Sequence, residues 1–384
     1  MTLGHKTLFM ICGEASGEAY AAGVAKVFRR RYPDAPMEGI GSRRLAAEGV
    51  RILQDYGGIS VVGITEAARH IPALVSALRR AVRGATSPDV GALLLVDFPD
   101  FNFRVGRKAH ARNIPVIYYV PPQLWAWRRE RARKLASFTK GVVVLFPFEE
   151  PILKGYGVNA RFAGHPLLDE LGPWLDAPPD PARFGIPADK RLVGLLPGSR
   201  HGEIRAHMPV LKQAALLIAR EFPDVHFAVP LATPALRGAV ESELMGSGLP
   251  VALVEGDRHL LFRGMTAAVA ASGTVTLELA LLGVPSVIVY RMSAVSYHVA
   301  KSMVKVSSVG LPNLVEGKPF LPELIQSECR PYRIAEELGL LLGDESHRAD
   351  LAARCASLRG KLAGPGPAEA VVDMLASEAG GAWG

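Results

Sequence analysis

Two carboxylates, Asp97 and Asp100, stand three residues apart in the stretch Leu93-Leu-Leu-Val-Asp-Phe-Pro-Asp-Phe-Asn102. The apolar run before them reads as a strand buried on both faces, as in a parallel sheet. Pro99 has no N–H to give a ladder, so the strand must end there. Both acids then fall at a strand's carboxyl end, where open α/β sheets bind ligands. A carboxylate beside an aromatic ring and a proline loses hydration, which raises its pKa toward values useful to a general base. The same residues could instead cap the next helix or shape a turn.

A second chemistry is anion binding. Pro197-Gly-Ser-Arg200 offers the backbone N–H groups of Gly198, Ser199 and Arg200, a hydroxyl and a guanidinium fork. Ser272, Gly273 and Thr274 open a predicted helix at its positive end. Glu278 lies one turn into that helix, where an acid can bind ribose hydroxyls. Either turn alone reads equally well as helix capping, but two such units in one half point to a nucleotide diphosphate. Near the start, Gly13-Glu-Ala-Ser-Gly-Glu18 joins a strand to a helix. Gly13 and Gly17 would let the backbone approach a ligand closely. This is neither a dinucleotide fingerprint nor a Walker loop, and a tight turn with Ser16 as N-cap is the structural alternative.

The elements that must position these groups alternate as βαβ units. Strands are expected over 7–12, 37–41, 61–63, 115–120, 141–145 and 161–162, besides the Asp97/Asp100 strand. Helices are expected over 19–31, over 64–82 in two pieces broken by Pro72, and over 104–112. Residues 172–190, with five prolines, read as a linker after a first domain of 1–171. The rhythm then restarts, with strands over 192–196, 225–230, 251–254, 267–271 and 286–290 and helices over 207–222 and 275–282. Further helices are expected over 331–343 and 349–362. They close a second domain of 191–362, and a last helix within 363–384 could pack back on the first. Leu74, Val75, Leu78 and Val82 share one helical face, with Arg79, Arg80 and Arg83 on another. That is a core-facing helix with a solvated basic side, or a membrane-surface helix with arginines on lipid phosphates.

At 384 residues, 49% hydrophobic and 21% charged, the chain has globular composition and room for two or three domains. Its formal charge of +7 favours anionic partners. The basic residues are spread along the chain with no aromatic-interleaved basic stretch, which disfavours nucleic acid. Three cysteines with no Cys-x-x-Cys pair argue against a disulfide framework or a thiolate zinc site. No secretory leader and no spanning run is seen, so the expected place is the cytoplasm, soluble or peripheral.

Several motifs, in order, now carry a resemblance. They are Gly13-Glu-Ala-Ser-Gly-Glu18, Asp97-Phe-Pro-Asp-Phe-Asn102, Trp125-Ala-Trp-Arg128 and Gly164-His-Pro166. Leu196-Pro-Gly-Ser-Arg200 with Glu203, Ser272-Gly-Thr274 with Leu277-Glu278, Tyr290-Arg-Met292 and Leu311-Pro-Asn313 complete the set. Together they resemble the lipid-A-disaccharide synthase family over roughly residues 7–331. Glu18 stands where the family more usually has Asp, and Pro121 where a serine is expected. The resemblance implies two Rossmann-like domains facing a cleft, the GT-B glycosyltransferase fold. It implies an inverting condensation of UDP-2,3-diacylglucosamine with 2,3-diacylglucosamine 1-phosphate, giving a β-1,6-linked disaccharide 1-phosphate and UDP.

By the same resemblance Asp100 is the general base. Arg200, with Gly198 and Ser199, and the helix end at Ser272, Gly273 and Thr274 hold the diphosphate. Glu278 and Asn313 hold the ribose or diphosphate side. Gly13, Glu14, Ser16, Gly17, Asp89 and Asp97 line the first domain's side of the cleft. No cofactor or metal is expected, since Asp97 and Asp100 are too widely spaced for an Asp-x-Asp signature. Leu74, Val75, Leu78, Arg79 and Arg80 would contact the anionic inner face of the inner membrane, within a segment near 61–83. A homodimer is a further expectation, because the family includes exchanged-domain dimers. Two other classes share the architecture: a non-hydrolysing UDP-sugar epimerase, and a non-catalytic regulator that binds a nucleotide sugar.

Overall fold

The computed structural model describes residues 5–56, 67–122, 130–292 and 308–383. The expected strand at 61–63 and the Trp125–Arg128 motif lie outside these residues. The chain divides into two compact units, 1–166 with 363–384, and 167–362.

In the first unit the order is β1 (Thr7–Cys12), α1 (Ala15–Arg31), β2 (Met37–Gly41), α2 (Arg43–Ala47), β3 (Arg51–Asp55) and α3 (Ala67–Ala85). It continues with β4 (Val90–Val96), α4 (Pro99–His110), β5 (Val116–Tyr119), α5 (Glu130–Ala136), β6 (Gly141–Val144), α6 (Glu149–Lys154) and β7 (Ala160–Phe162). The sheet is parallel, in the order β3-β2-β1-β4-β5-β6-β7. β1 and β4 are buried along their whole length, as their unbroken apolar runs require. β3 escapes the sequence pattern because it is an edge strand with no fully buried residue.

The second unit opens within α7 (Pro166–Leu175) and runs through β8 (Arg191–Leu196), α8 (His201–Glu221), β9 (Val225–Pro230), α9 (Arg237–Leu244), β10 (Val251–Val254) and α10 (Arg258–Arg263). β11 (Met265–Ala271), α11 (Thr274–Leu281), β12 (Ser286–Tyr290), α12 (Leu311–Glu316), β13 (Glu323–Ile325), α13 (Pro331–Gly343) and α14 (Glu345–Leu362) complete it. Its parallel sheet repeats the order, β10-β9-β8-β11-β12-β13. The stretch read as a linker, 172–190, packs on this unit: Arg263 Nε donates to the Ala177 carbonyl at 3.1 Å and Arg183 pairs with Asp257. The final helix, α15 (Pro367–Glu378), belongs to the first unit and packs along α1, where Arg31 meets Asp373 at 2.6 Å. Trp383 lies edge-on against Phe28, with centroids 4.8 Å apart, and donates its indole N–H to the Lys6 carbonyl.

Both sheets therefore reverse their strand order once, between β1 and β4 and between β8 and β11. Ligands of doubly wound sheets bind outside the carboxyl ends at such a reversal. Register brings the following turns side by side: Cys12 pairs with Val96, and Leu196 with Ala270.

Three expectations change. α1 begins at Ala15 rather than at residue 19, so Ser16 sits exposed in its first turn and the N-cap position falls to Glu14. Pro72 lies inside one continuous α3 rather than dividing it. The apolar stripe of α3 is spent on the core: Leu74, Leu78 and Val82 pack against the first unit's interior, beside buried Ala77, Ala81 and Ala85. Of the residues assigned to membrane contact, only Val75, Arg79 and Arg80 are exposed.

The lone Gly-x-Gly of β2 has a packing role. A Cβ on Gly39 would overlap the Met10 carbonyl of the adjacent strand, and one on Gly41 would crowd Leu45. Gly39→Ala is expected to destabilise the protein by about 2–4 kcal/mol, since the neighbour is backbone and cannot yield. Gly23→Ala, in open space on α1, is expected to be neutral or to stabilise by up to ~1 kcal/mol. Urea unfolding of the two variants against the parent checks the contrast.

Candidate functional site

In the first unit the site is built on the end of β4. Asp97 and Phe98 are consecutive left-handed residues, both at φ 49°. Such backbone costs ~1–3 kcal/mol per residue and persists only where its surroundings hold it. Here the Asp97 carbonyl accepts the Tyr118 hydroxyl at 2.6 Å and the Asn102 side-chain amide at 2.7 Å. The turn then enters α4 with Pro99 at its first position, where a missing N–H costs nothing. Gly13 leaves room for the Phe98 ring, which its own Cβ would overlap, and a Cβ on Gly17 would sit 3.4 Å from that of Asp97. One strand over, Val120 is also left-handed, at φ 59°, rare for a β-branched residue.

The two acids separate. Asp97 is half-buried, and loss of hydration, helped by the nearby Glu14 charge, raises its pKa to about 6. Asp100, in the first turn of α4, has an 81% exposed side chain and is bonded through Oδ1 to Arg131 Nη2 at 2.6 Å. Burial thus reaches Asp97 and not Asp100. Asp89 does not join them. It precedes β4, its carbonyl accepting the Thr7 N–H, at the opposite end of a strand that rises roughly 20 Å. Glu18 is buried and anchors α2: it accepts Ser42 N–H at 2.5 Å, Ser42 Oγ–H at 2.7 Å and Leu45 N–H at 3.2 Å. His165 lies buried against Phe146, and burial pushes its pKa down to about 4, so it is neutral at physiological pH.

In the second unit the turns after β8 and β11 border a cavity of about 340 Å³. Gly198, Ser199, Arg200, Ser272, Gly273, Thr274 and Glu278 all line it, as do Glu203 and Arg258. One expectation is corrected. The backbone N–H groups of Ser199 and Arg200 already donate to Glu203 Oε2, at 2.6 and 3.2 Å. A glutamate one turn along α8 meets the helix's own unpaired donors and also takes the Ser199 hydroxyl, at 3.5 Å, and Arg200 Nη1, at 3.1 Å, so what these residues present is the rest of the exposed Arg200 guanidinium. Gly198, at φ 122°, lies where a Cβ would strike that same carboxylate.

Glu278 is buried and holds Arg258, at 3.3 Å, and His259, at 3.2 Å. Neither partner was foreseen. Both come from α10, and no local spacing relates them to Glu278. His207 was also missed. It is buried, its Nδ1–H donates to the Pro197 carbonyl at 2.8 Å, and Nε2 accepts the Arg291 N–H at 2.9 Å. It therefore ties the β8 turn to the end of β12.

Asn313 does not face the cavity. Its amide donates to the Leu321 carbonyl and Glu323, and its oxygen accepts the N–H groups of Phe320 and Leu321. With these bonds made, it organises the chain between α12 and β13 and has little capacity left for a ligand.

The family model described as lipid-A-disaccharide synthetase matches residues 8–363. The lipid-A-disaccharide synthase of Geobacter metallireducens is 36% identical over 97% of each chain. That of Myxococcus xanthus is 38% identical over 96% of this chain and 97% of its own. Among solved structures, a Neisseria meningitidis UDP-GlcNAc 2-epimerase bound to UDP-GlcNAc superposes with TM-score 0.63 at 14% identity, covering 97% of this chain and all of its own. Acinetobacter baumannii MurG does so with TM-score 0.61 at 15% identity, covering 97% and 99%. These two share the fold, two parallel α/β domains of the GT-B class.

Asp97 gives a pH test. Its folded pKa lies above the ordinary carboxylate value, so stability is lost as pH rises from about 4, where the unfolded chain ionises, through about 6, after which the loss is constant; below about pH 4 both states are protonated and little is lost. Asp97→Asn is expected to raise unfolding free energy at pH 8 by on the order of 2–3 kcal/mol, with the gain vanishing toward pH 4. Thermal melts of both proteins across this range measure it.

Proposed function

The chain belongs to the lipid-A-disaccharide synthase family, and from that premise we propose that it joins UDP-2,3-diacylglucosamine to 2,3-diacylglucosamine 1-phosphate with Asp100 as general base. The products are the β-1,6-linked disaccharide 1-phosphate and UDP. An α-linked donor and a β-linked product require inversion, hence one in-line displacement. The observation that carries the site reading is that each unit's sheet has one strand reversal. One carries a braced acidic turn, and the other a cavity lined by Arg200, Arg258 and two strand-helix turns. The family membership weighs against the epimerase and regulator readings, since the epimerase likeness is one of fold.

The acceptor 6-hydroxyl loses its proton as its oxygen attacks, and an exposed carboxylate on the first turn of a helix can meet that hydroxyl. The departing diphosphate takes up charge, and Arg200, Arg258 and the positive end of α11 can stabilise it. Glu278, buried at the cavity wall, is suited to ribose hydroxyls. Both substrates carry acyl chains, so the reading extends to docking on the inner face of the inner membrane. Among the described residues no helix is long and apolar enough to cross a membrane. With Leu74 and Leu78 packed against the core, docking falls to Arg79 and Arg80 by charge attraction to anionic lipid, with Val75 an exposed apolar contact beside them. A homodimer is the remaining element of the reading, and sedimentation in detergent would report it.

Turnover in detergent micelles tests the assignment. The parent is expected to form disaccharide with EDTA present. Asp100→Asn should lower kcat by about 10²–10⁴-fold while UDP binding persists. Arg200→Ala should raise the donor KM about tenfold or more and leave the acceptor KM unchanged. Full activity in Asp100→Asn would move the base elsewhere, and absence of disaccharide from a folded, UDP-binding parent would end the reading.

A further inference from the structure

The ion pair between Asp100 and Arg131 is lopsided. The carboxylate side chain is 81% exposed, whereas that of the arginine is only 18% exposed. Arg131 is held from beneath, its guanidinium 4.8 Å from the centre of the Phe103 ring. Phe103 in turn is fixed edge-on by Tyr118 and Phe138, with centroids 6.1 and 5.2 Å away. The cation is thus a seated group, and the carboxylate is the part open to solvent. Only Nη2 of the five-donor fork is bonded to Asp100. An ion pair so open to water is weak and is readily exchanged.

Resting on the acceptor reading above, we propose that Arg131 binds the acceptor's anomeric phosphate, and that the phosphate takes the guanidinium from Asp100. In a pyranose, C1 and C5 flank the ring oxygen. The 1-phosphate and the 6-hydroxyl therefore project from one edge of the sugar. A site that binds the first and deprotonates the second needs a cation and a base side by side. Asp100 and Arg131 are such neighbours at the carboxyl end of the first sheet. A phosphate offers three acceptor oxygens and more charge than a carboxylate, and a guanidinium fork matches it in plane.

Before the exchange, Asp100 Oδ1 points at a cation rather than at a hydroxyl. After it, the carboxylate takes the 6-hydroxyl proton, and the oxygen's electron pair forms the bond to the donor's C1. The bond from C1 to the diphosphate oxygen breaks, and UDP leaves with that pair. Proton, bond and charge balance with no other reactant. Arg131 contributes by recognition: it ties release of the base to arrival of the correct acceptor.

The experiment compares 2,3-diacylglucosamine 1-phosphate with its dephosphorylated counterpart as acceptors in mixed micelles. The parent, Arg131→Gln and Arg131→Lys are assayed at saturating UDP-sugar. Arg131→Gln is expected to lose about 100-fold in kcat/KM on the phosphorylated acceptor, chiefly through KM, and to keep its donor KM. On the dephosphorylated acceptor, which cannot displace the parent's Asp100–Arg131 pair, it should match or exceed the parent, and Lys should restore part of the loss on the phosphorylated one. Equal losses on both acceptors would overturn the proposal and make Arg131 a staple for α5.

Should Arg131 variants fold poorly, Asp100→Asn supplies an independent measure. Freed of its carboxylate, Arg131 should bind the phosphorylated acceptor several-fold more tightly by equilibrium binding. Unchanged or weaker binding would refute the exchange. A parent that binds UDP but makes no disaccharide would instead overturn the preceding functional reading, and this assignment with it.

Discussion

The grip on the Asp97 carbonyl is what the first half of the molecule depends on. A strand buried on both faces has to stop, reverse and start a helix within three residues, and it does so through two left-handed residues in succession. That conformation is costly for residues with side chains. Tyr118, from the neighbouring strand β5, and Asn102, from the helix that follows, offset it by both donating to the same oxygen. The acidic turn is therefore braced from both sides of itself. Gly13 completes the arrangement by leaving space for Phe98, and the third left-handed residue, Val120, sits at the end of the adjacent strand. Strain gathers where the two strands end, and nowhere along their length. Functional sites commonly keep their strain at strand ends of this kind.

The second half solves a different problem by a related device. A turn rich in donors needs acceptors, and Glu203 meets the amide donors at the start of α8 with its own carboxylate. Glu278 does the same for Arg258. Each cation of the cavity thus has an acid beside it. A diphosphate entering such a site meets a balanced set of charges rather than a bare positive hole. Its affinity is then the difference between its own bonds to Arg200 and Arg258 and those already made.

Much of this was legible in the residues. Unbroken apolar runs marked β1 and β4, Pro99 marked where β4 had to stop, and glycine-containing turns marked both strand reversals. What was hidden was occupancy. Spacing shows that Ser199 and Arg200 carry N–H groups at a helix start, but not that a glutamate three and four residues on has already taken them. Asn313 reads as a ligand and turns out to be fully engaged with Phe320, Leu321 and Glu323. Arg131 and Asp100 are 31 residues apart in the chain, and no periodicity links them. The apolar face of α3 was readable as core or as lipid-facing, and Leu74, Leu78 and Val82 pack against the core while Val75 stays exposed. Edge strand β3 lacked a signal because its residues never enter a fully buried layer.

Two acids three residues apart end in opposite surroundings, and the difference follows from the turn. Asp97 stays at the strand's end, half-buried beside Gly17 and within reach of the Glu14 charge, where ionisation is resisted. Asp100 is carried one step outward by the helix start, into water and against a cation. A carboxylate left bare in that position would activate water as readily as a sugar hydroxyl, and a nucleotide-sugar donor is lost to hydrolysis when water is activated beside it. A partner that occupies the carboxylate until an anionic acceptor displaces it removes this conflict. On the proposed role of Asp100, an exposed base is then present at all times and available only when the sugar that should receive the transfer has arrived. The weakness of a solvent-facing ion pair, which makes it a poor contributor to stability, is the property such a latch requires.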